Sequence, residues 1–451
     1  MIKSLLVAVT LIAVAGATRT VAQPTANPDA TLPAGVGAPY RELMVPSQFP
    51  TLAAAVNAAN ADTDRSRGVV ITIDPGTYTN DFTPMLTRPM TIRSAQGLGT
   101  VTLNSTVVQN ANSNPGIITS HTDLTVDGLI FTGARNGSNN GAGIRDRRGV
   151  GAAPGFLAVQ NSIFISNQMG ILTGDGPVRV LVTHALFMNS TMSHLLYTNN
   201  VTAPSTLVVM DSDFCGAGGG RGRHAIQTRN RTTMIAHNRF WVGADASIPG
   251  CIRGDGNFAI NIINGGPAIV ADNVIVKGPG GVNANTVAYA VDFTATGGAH
   301  PTSTLIFQRN CMFNTRGSGT GIFTGISAPV IGDGNFFAPE FGTLVNPTAS
   351  NQMTGTVRTE PANCATESPD GSQIDAPTTE TLVNRDGRWG FANEQPEPGQ
   401  FRITLNDQPN DGWGSNLRIA QGGQVFVRNS LRNNWWVWRN NTWVNVGPAT
   451  P

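Results

Sequence analysis

Five arginines and two histidines share one stretch of this chain that holds no carboxylate. Arg221, Arg223, Arg229, Arg231 and Arg239, with His224 and His237, all lie between Asp213 and Asp245. A guanidinium grips a carboxylate or sulfate through two parallel hydrogen bonds, so a cluster of them suits an acidic ligand. The chain has only two lysines, Lys3 and Lys277, so cationic binding falls to arginine. Overall, 29 Lys+Arg against 28 Asp+Glu leave a formal charge of +1. The basic stretch is therefore a local patch and not a field that would draw nucleic acid or membrane to the whole molecule. The competing reading is a solvated face on which Arg and Asp satisfy one another.

The carboxylates limit the chemistry from the other side. No Glu occurs between Glu42 and Glu340, which excludes a Glu-based glycosidase pair from that region, although several Asp remain. Asp127, Asp146 and Asp175 are candidate oxygen ligands for Ca2+. No D-x-D-x-D-G loop accompanies them, and turn capping is the simpler role. No Cys/His cluster has zinc spacing.

These residues need elements to position them, and the elements repeat. After a short helix predicted over 52–60, capped by Thr51, the apolar period changes from that of a helix to two. An eight-residue pattern ending in a large apolar residue then recurs. It reads LTVDGLIF (124–131), LAVQNSIF (157–164), VLVTHALF (180–187), LVVMDSDF (207–214), TMIAHNRF (233–240), AIVADNVI (268–275), LIFQRNCM (305–312) and PVIGDGNF (329–336). Its last residues fall 33, 23, 27, 26, 35, 37 and 24 apart, a spacing that means stacked coils with insertions on one side. An antiparallel sandwich would need tighter hairpin spacing.

Laying the coils over one another aligns residues 170–175, 194–199, 224–229 and 250–255. This register predicts an aliphatic ladder of Leu172, Leu196, Ile226 and Ile252, and places His194 beside His224, about 4.8 Å apart. Tyr197, Gln227 and Arg253 form a second column, and Asn199, Arg229 and Asp255 a third. Such columns could hold a uronate: Arg223 and Arg229 neutralise its carboxylate while His224, His194 or Tyr197 removes the adjacent proton, the requirements of β-elimination. Arg221, Arg231, Arg253 and Gln227 complete the predicted substrate-binding set. The partner expected on these grounds is an acidic polysaccharide, and the alternative is a non-catalytic glycan-binding or structural protein.

The stretch TLAAAVNAA, followed by ITIDPGTYT (71–79) and PMTIRSAQG (89–97), resembles the start of right-handed parallel β-helix proteins of the pectate-lyase-like superfamily. The likeness covers roughly residues 47–345 and implies an all-β single solenoid whose first coil is capped by a small helix. Calcium, which lyases of that fold often use, is implied only on this basis. A narrower likeness joins RHAIQTRNRTTMIAHNRF (223–240) and INIINGGPAIVADNVIVKGP (260–279) to bacterial β-helix repeats reading H-x-I-K-S-R and I-D-L-P-N-G-G. Gln227 stands where that pattern has Lys, and Asn261 where it has Asp. The N-T-D, D-D and G-H-G motifs of polygalacturonase-like enzymes, the D-P-H-D motif of mannuronan epimerases and the W-x-D-H signature of pectate lyases are missing.

The two ends differ in composition. Lys3, an apolar run over 5–17 and small residues before Ala17 and Ala22 predict a secretory signal over 1–22, too short to span a membrane, and then a leader over 23–46. Export to the periplasm, the cell surface or the medium of a bacterium follows as an expectation. It permits disulfides among Cys215, Cys251, Cys311 and Cys364, with all three pairings open. Residues 346–384 read as a linker. Residues 385–451 hold six of the seven Trp and predict a small β module. Its ending, NNWWVWRNNTWV, resembles the close of a C-terminal module on secreted bacterial carbohydrate-related proteins. Trp436 and Trp438 share one face there and either pack the core or offer indole to a sugar.

Overall fold

In the computed structural model the chain winds through successive coils, and each coil gives one strand to each of three parallel sheets of 12, 10 and 9 strands. The residues described are 40–356, apart from 111–115, 218–222, 244–255, 281–282, 292–299, 301–302 and 327, together with the strands between 373 and 447. The predicted signal over 1–22, and the leader as far as residue 39, lie outside them. This is a parallel β-helix: the repeats predicted stacked coils, and the resemblance over residues 47–345 implied this class.

The eight-residue pattern marks the corner between the 12- and 10-stranded sheets. Its fifth residue adopts a left-handed backbone in coil after coil: φ is 46° at Asn161, 50° at His184, 49° at Asp211, 58° at His237 and 56° at Asp272. Asn, Asp and His tolerate that region better than other side chains. The sixth residue becomes Asn in the later coils. The Asn238 amide donates to Asn273 at 3.0 Å, Asn273 to Asn310 at 2.9 Å and Asn310 to Asn335 at 3.1 Å, and all four are buried. Each also donates to backbone carbonyls at the corner, satisfying groups that burial would otherwise leave unpaired.

The eighth residue fills the core. Phe131, Phe164, Phe187, Phe214 and Phe240 stack in one column with centroids 4.7–4.9 Å apart and rings within 11° of parallel. That spacing is the strand spacing of a sheet, so identical residues at one coil position stack without adjustment.

The helix Leu52–Ala61 closes the first coil and buries Leu52, Ala55, Val56 and Ala59. Thr51 accepts from the Ala54 N–H, and the Asp81 carboxylate takes the Leu52 and Ala53 N–H groups at 2.5 and 2.9 Å. The first rung begins earlier than composition suggested: Tyr40–Val45, inside the expected leader, pairs in parallel with Gly68–Ile73. At the other end Asn351–Thr354 pairs with Val330–Asp333 and carries the coils past residue 345. The last repeat slips by one residue, because Val330 pairs with Leu305 and Phe337 with Met312. Phe336 and Phe337 are adjacent, so the sequence offered two anchors for one position.

The C-terminal region is antiparallel, with a four-stranded and a five-stranded sheet that already include Leu382–Asn384 and Gln373–Asp375. Trp389, Ile403, Leu417 and Val427 form its core, and Trp436, Trp438 and Trp443 pack against it. Cys215 and Cys311 are both disulfide-bonded. They lie three rungs apart in the 10-stranded sheet, about 14 Å, too far to bond to each other. Cys251 and Cys364 lie outside the described residues.

Candidate functional site

In the nine-stranded sheet each coil turns one aliphatic side chain into the core: Ile144, Ile171, Leu196, Ile226 and Ile260, all fully buried. The sequence register placed Leu172 and Ile252 in this ladder. Ile171 takes the first position, since Ile171 and Leu172 are adjacent and equally apolar, and Ile260 takes the last. The following residue of each coil forms a second column, Arg145, Leu172, Tyr197, Gln227 and Asn261. Tyr197 and Gln227 are neighbours as expected, and Asn261 stands where Arg253 was predicted.

His194 and His224 do stack, with centroids 5.1 Å apart, and Phe258 continues the stack at 5.0 Å. Each Nδ1 accepts a backbone N–H: His194 from His224 and His224 from Phe258, both at 3.1 Å. A neutral ring whose Nδ1 accepts carries its proton on Nε2, and His224 Nε2 lies 3.0 Å from the side-chain amide of Asn261, whose oxygen is the atom that can accept that proton. Burial pushes the His194 pKa down to about 3 and that of His224 well below its usual value. Both rings stay neutral at physiological pH.

Tyr197 is half-buried between the stack and the surface. Its phenol donates to Asn199 Oδ1 at 2.9 Å, and the Asn199 amide donates in turn to Asp175. Burial raises the Tyr197 pKa, with the Arg229 charge opposing that shift. The Arg229 guanidinium stands over the Tyr197 ring, its Cζ 5.9 Å from the centroid.

Arg145, which the sequence reading passed over, belongs to the same face. Its charge, like that of Arg229, favours the Tyr197 phenolate. Burial lowers the Arg145 pKa to about 10, which leaves the group cationic at neutral pH. The Nε atoms of Arg145 and Arg229 are buried and unpartnered, and neither guanidinium has a hydrogen bond or ion pair among the described residues. The signal for Arg145 was its register, two rungs from Tyr197 through Leu172, which the misplaced Leu172 concealed.

Of the other predicted residues, Arg223 lies close enough for its charge to act on His194. Arg231 is exposed, with Nε 3.3 Å from the Val201 carbonyl. Arg239 is committed to Asp213 through a two-pronged pair at 2.6 and 2.7 Å and stands over Trp241. His237 is at the corner of the other two sheets. Arg221 and Arg253 lie outside the described residues.

The candidate calcium ligands do not converge. Asp127 accepts from Asn161, Asp146 is buried against Arg148, and Asp175 holds Asn199. Among the described residues no three His, Cys, Asp or Glu side chains gather as a metal site. No described helix is long and apolar enough to cross a membrane. Trp436 and Trp438 pack against the core of the C-terminal module, with the Trp438 ring 5.4 Å from that of Trp389.

No protein-family model and no curated protein matches the chain. Among solved structures it is similar to the crystal structure of an alginate lyase from Paenibacillus sp. str. FPU-7, with 14% identity, 70% of this chain and 99% of that chain covered, and a TM-score of 0.44. It is also similar to the pectin methylesterase from Aspergillus niger in deglycosylated form, with 9% identity, 73% and 92% covered, and a TM-score of 0.31.

Proposed function

We propose that this is an exported protein whose nine-stranded sheet binds an acidic, uronate-containing polysaccharide on its outer face around Tyr197. The observation that carries this reading is the pair Arg145 and Arg229, whose buried Nε atoms have no partner within the described chain. Both side chains are only partly buried, so their guanidiniums remain open to a carboxylate from outside that could take up the unpartnered N–H groups. Ligand carboxylates meet the two guanidiniums bidentately, and Arg223 and Arg231 add positive charge beside them. The disulfide-bonded Cys215 and Cys311 support the exported reading, together with the apolar N-terminal run.

The test is retention of the purified chain on immobilised acidic and neutral glycans, beside Arg229→Gln. The expected result is retention on acidic glycans that weakens with salt and is lost in the variant. Equal retention on neutral glycans, or none on any, refutes the reading.

Cleavage by β-elimination is the second reading, favoured by the Tyr197 phenol beside two cations. In that reaction a proton leaves the carbon next to the carboxylate, the bond to the leaving oxygen breaks, and that oxygen takes up a proton. The arginines stabilise the charge that develops on the carboxylate and Tyr197 exchanges the proton. His194 and His224, with each Nδ1 already accepting a backbone N–H, carry their proton on Nε2 in the neutral ring and have no free lone pair to take up another. Ultraviolet absorbance of unsaturated uronate ends, absent in Tyr197→Phe, distinguishes a lyase; binding without such ends leaves a non-catalytic glycan-binding protein.

A further inference from the structure

The outer face of the 12-stranded sheet carries an unbroken aliphatic column. Inward and outward side chains alternate along its strands, and the middle outward residue of six successive rungs is Leu181, Val208, Met234, Ile269, Ile306 and Ile331. The first five are half-buried and Ile331 is 42% exposed. Beside them on those first five rungs the only charged outward residue is Arg179, followed in its column by Thr206, Thr232, Pro267 and Thr304. A contiguous apolar strip of this kind marks an interaction surface. The corner residues rim it on the other side, where His184, Asp211, His237, Asp272 and Arg309 follow one another rung by rung.

We infer that this face pairs with the same face of a second copy of the chain, about a two-fold axis that runs along the strands between Met234 and Ile269. That axis reverses the order of the rungs, so Met234 meets the partner's Ile269, Val208 the partner's Ile306 and Leu181 the partner's Ile331. At the rim it sets Asp211 against the partner's Arg309 and His237 against the partner's Asp272, so unlike charges face each other. An axis through Met234 would instead set Asp211 against the partner's Asp272. The centre of the strip is thus also the point about which its rim is charge-complementary to itself, and this selects a second copy over an unrelated protein. Six rungs at about 4.8 Å and three outward residues per strand at about 6.6 Å give a footprint of about 600 Å², which with the rim approaches the ~800 Å² per partner of a stable interface. The nine-stranded sheet is another face of the helix, so the Tyr197 face stays open in both copies and the inference is independent of the glycan reading.

Sedimentation velocity of the purified full chain over a range of concentrations tests this, and a mass of two chains that falls to one on dilution is expected. Ile269→Glu puts an unpaired carboxylate in the middle of the strip and is expected to raise the dimer Kd by on the order of a hundredfold or more. Its circular dichroism and thermal midpoint should match those of the wild-type monomer, because the side chain faces outward. Met234→Lys has the same effect and serves should the first variant fold poorly. Asp211→Asn keeps a side chain suited to the left-handed backbone and raises Kd by about severalfold at low salt.

A single-chain mass at every concentration, or a dimer that both Ile269→Glu and Met234→Lys leave intact, overturns the pairing, whatever else then covers the strip. A Kd unmoved by Asp211→Asn overturns the placement of the axis while the face itself stands.

Discussion

Gln227 and Asn261 face each other on adjacent coils, the Asn261 amide 3.3 Å from the Gln227 carbonyl oxygen and 3.0 Å from His224 Nε2. Both side chains are buried. In the β-helix repeats that this stretch resembles, the same two positions carry Lys and Asp. The two charges are therefore absent here as a pair, and the structure makes those positions partners across the coils. Gln227→Lys alone buries an uncompensated cation and is expected to cost about 3–5 kcal/mol. Adding Asn261→Asp should recover most of the loss. Denaturant unfolding of both single variants and the double, read as a cycle, measures the coupling; strictly additive losses would mean that the side chains do not interact.

Tyr197 offers a check on the site that needs no ligand. Burial raises its pKa above 10.0, while Arg229 favours the phenolate and Asp175 disfavours it. Difference absorbance between wild type and Tyr197→Phe is expected to show a phenol that titrates above the ordinary tyrosine value. Arg229→Gln should move that midpoint higher still, and Asp175→Asn should move it lower. An ordinary midpoint, unmoved by either change, would place Tyr197 in bulk water and outside any charged site.

The corner of the coils was legible in the sequence because one position there has one physical demand. A large apolar residue every coil gave Phe131, Phe164, Phe187, Phe214 and Phe240, and these stack as the repeats required. Thr51 likewise announced its helix by a side chain that can cap. The candidate site was harder to read, because a one-residue slip exchanges the inner and outer faces of a strand. Ile171 and Leu172 fit the core equally well by type, and choosing Leu172 hid Arg145. After Arg229, the motif at 250–253 matched the expected rung as well as Ala259, Ile260 and Asn261 do. Insertion length is free at that side of a coil, so nothing local distinguished them.

The phenylalanine column makes its own prediction. Phe187 is fully buried, stacked on Phe164 at 4.7 Å and Phe214 at 4.8 Å. Phe187→Ala opens a cavity with rigid rings on two sides and little freedom to collapse, so a loss of about 3–5 kcal/mol is expected. Phe187→Leu keeps most of the volume and should cost less than half as much. Chemical denaturation of both variants checks the order. Equal small losses would show that the coils close over the gap and that the column is not under packing constraint.

Lys277 is fully buried, and its ammonium donates to the Asn257 carbonyl oxygen. No carboxylate pairs with it among the described residues. Burial, with repulsion from Arg316, lowers its pKa from 10.5 to about 7, and its charge in turn acts against protonation of His224. The unfolded chain therefore holds this proton more tightly than the native one. Between about 7 and 10.5 the unfolded state is protonated at Lys277 and the native state is not, so stability rises with pH across that window. Below the window both states carry the proton, and the native protein bears the full cost of a buried ammonium. Lys277→Met keeps the apolar stem and removes the charge. It is expected to be more stable than wild type at neutral pH by on the order of a few kcal/mol, and to lose the upward slope. Denaturation midpoints for both proteins at the two ends of the window decide the matter: parallel pH profiles would mean that the ammonium reaches water or a counter-charge.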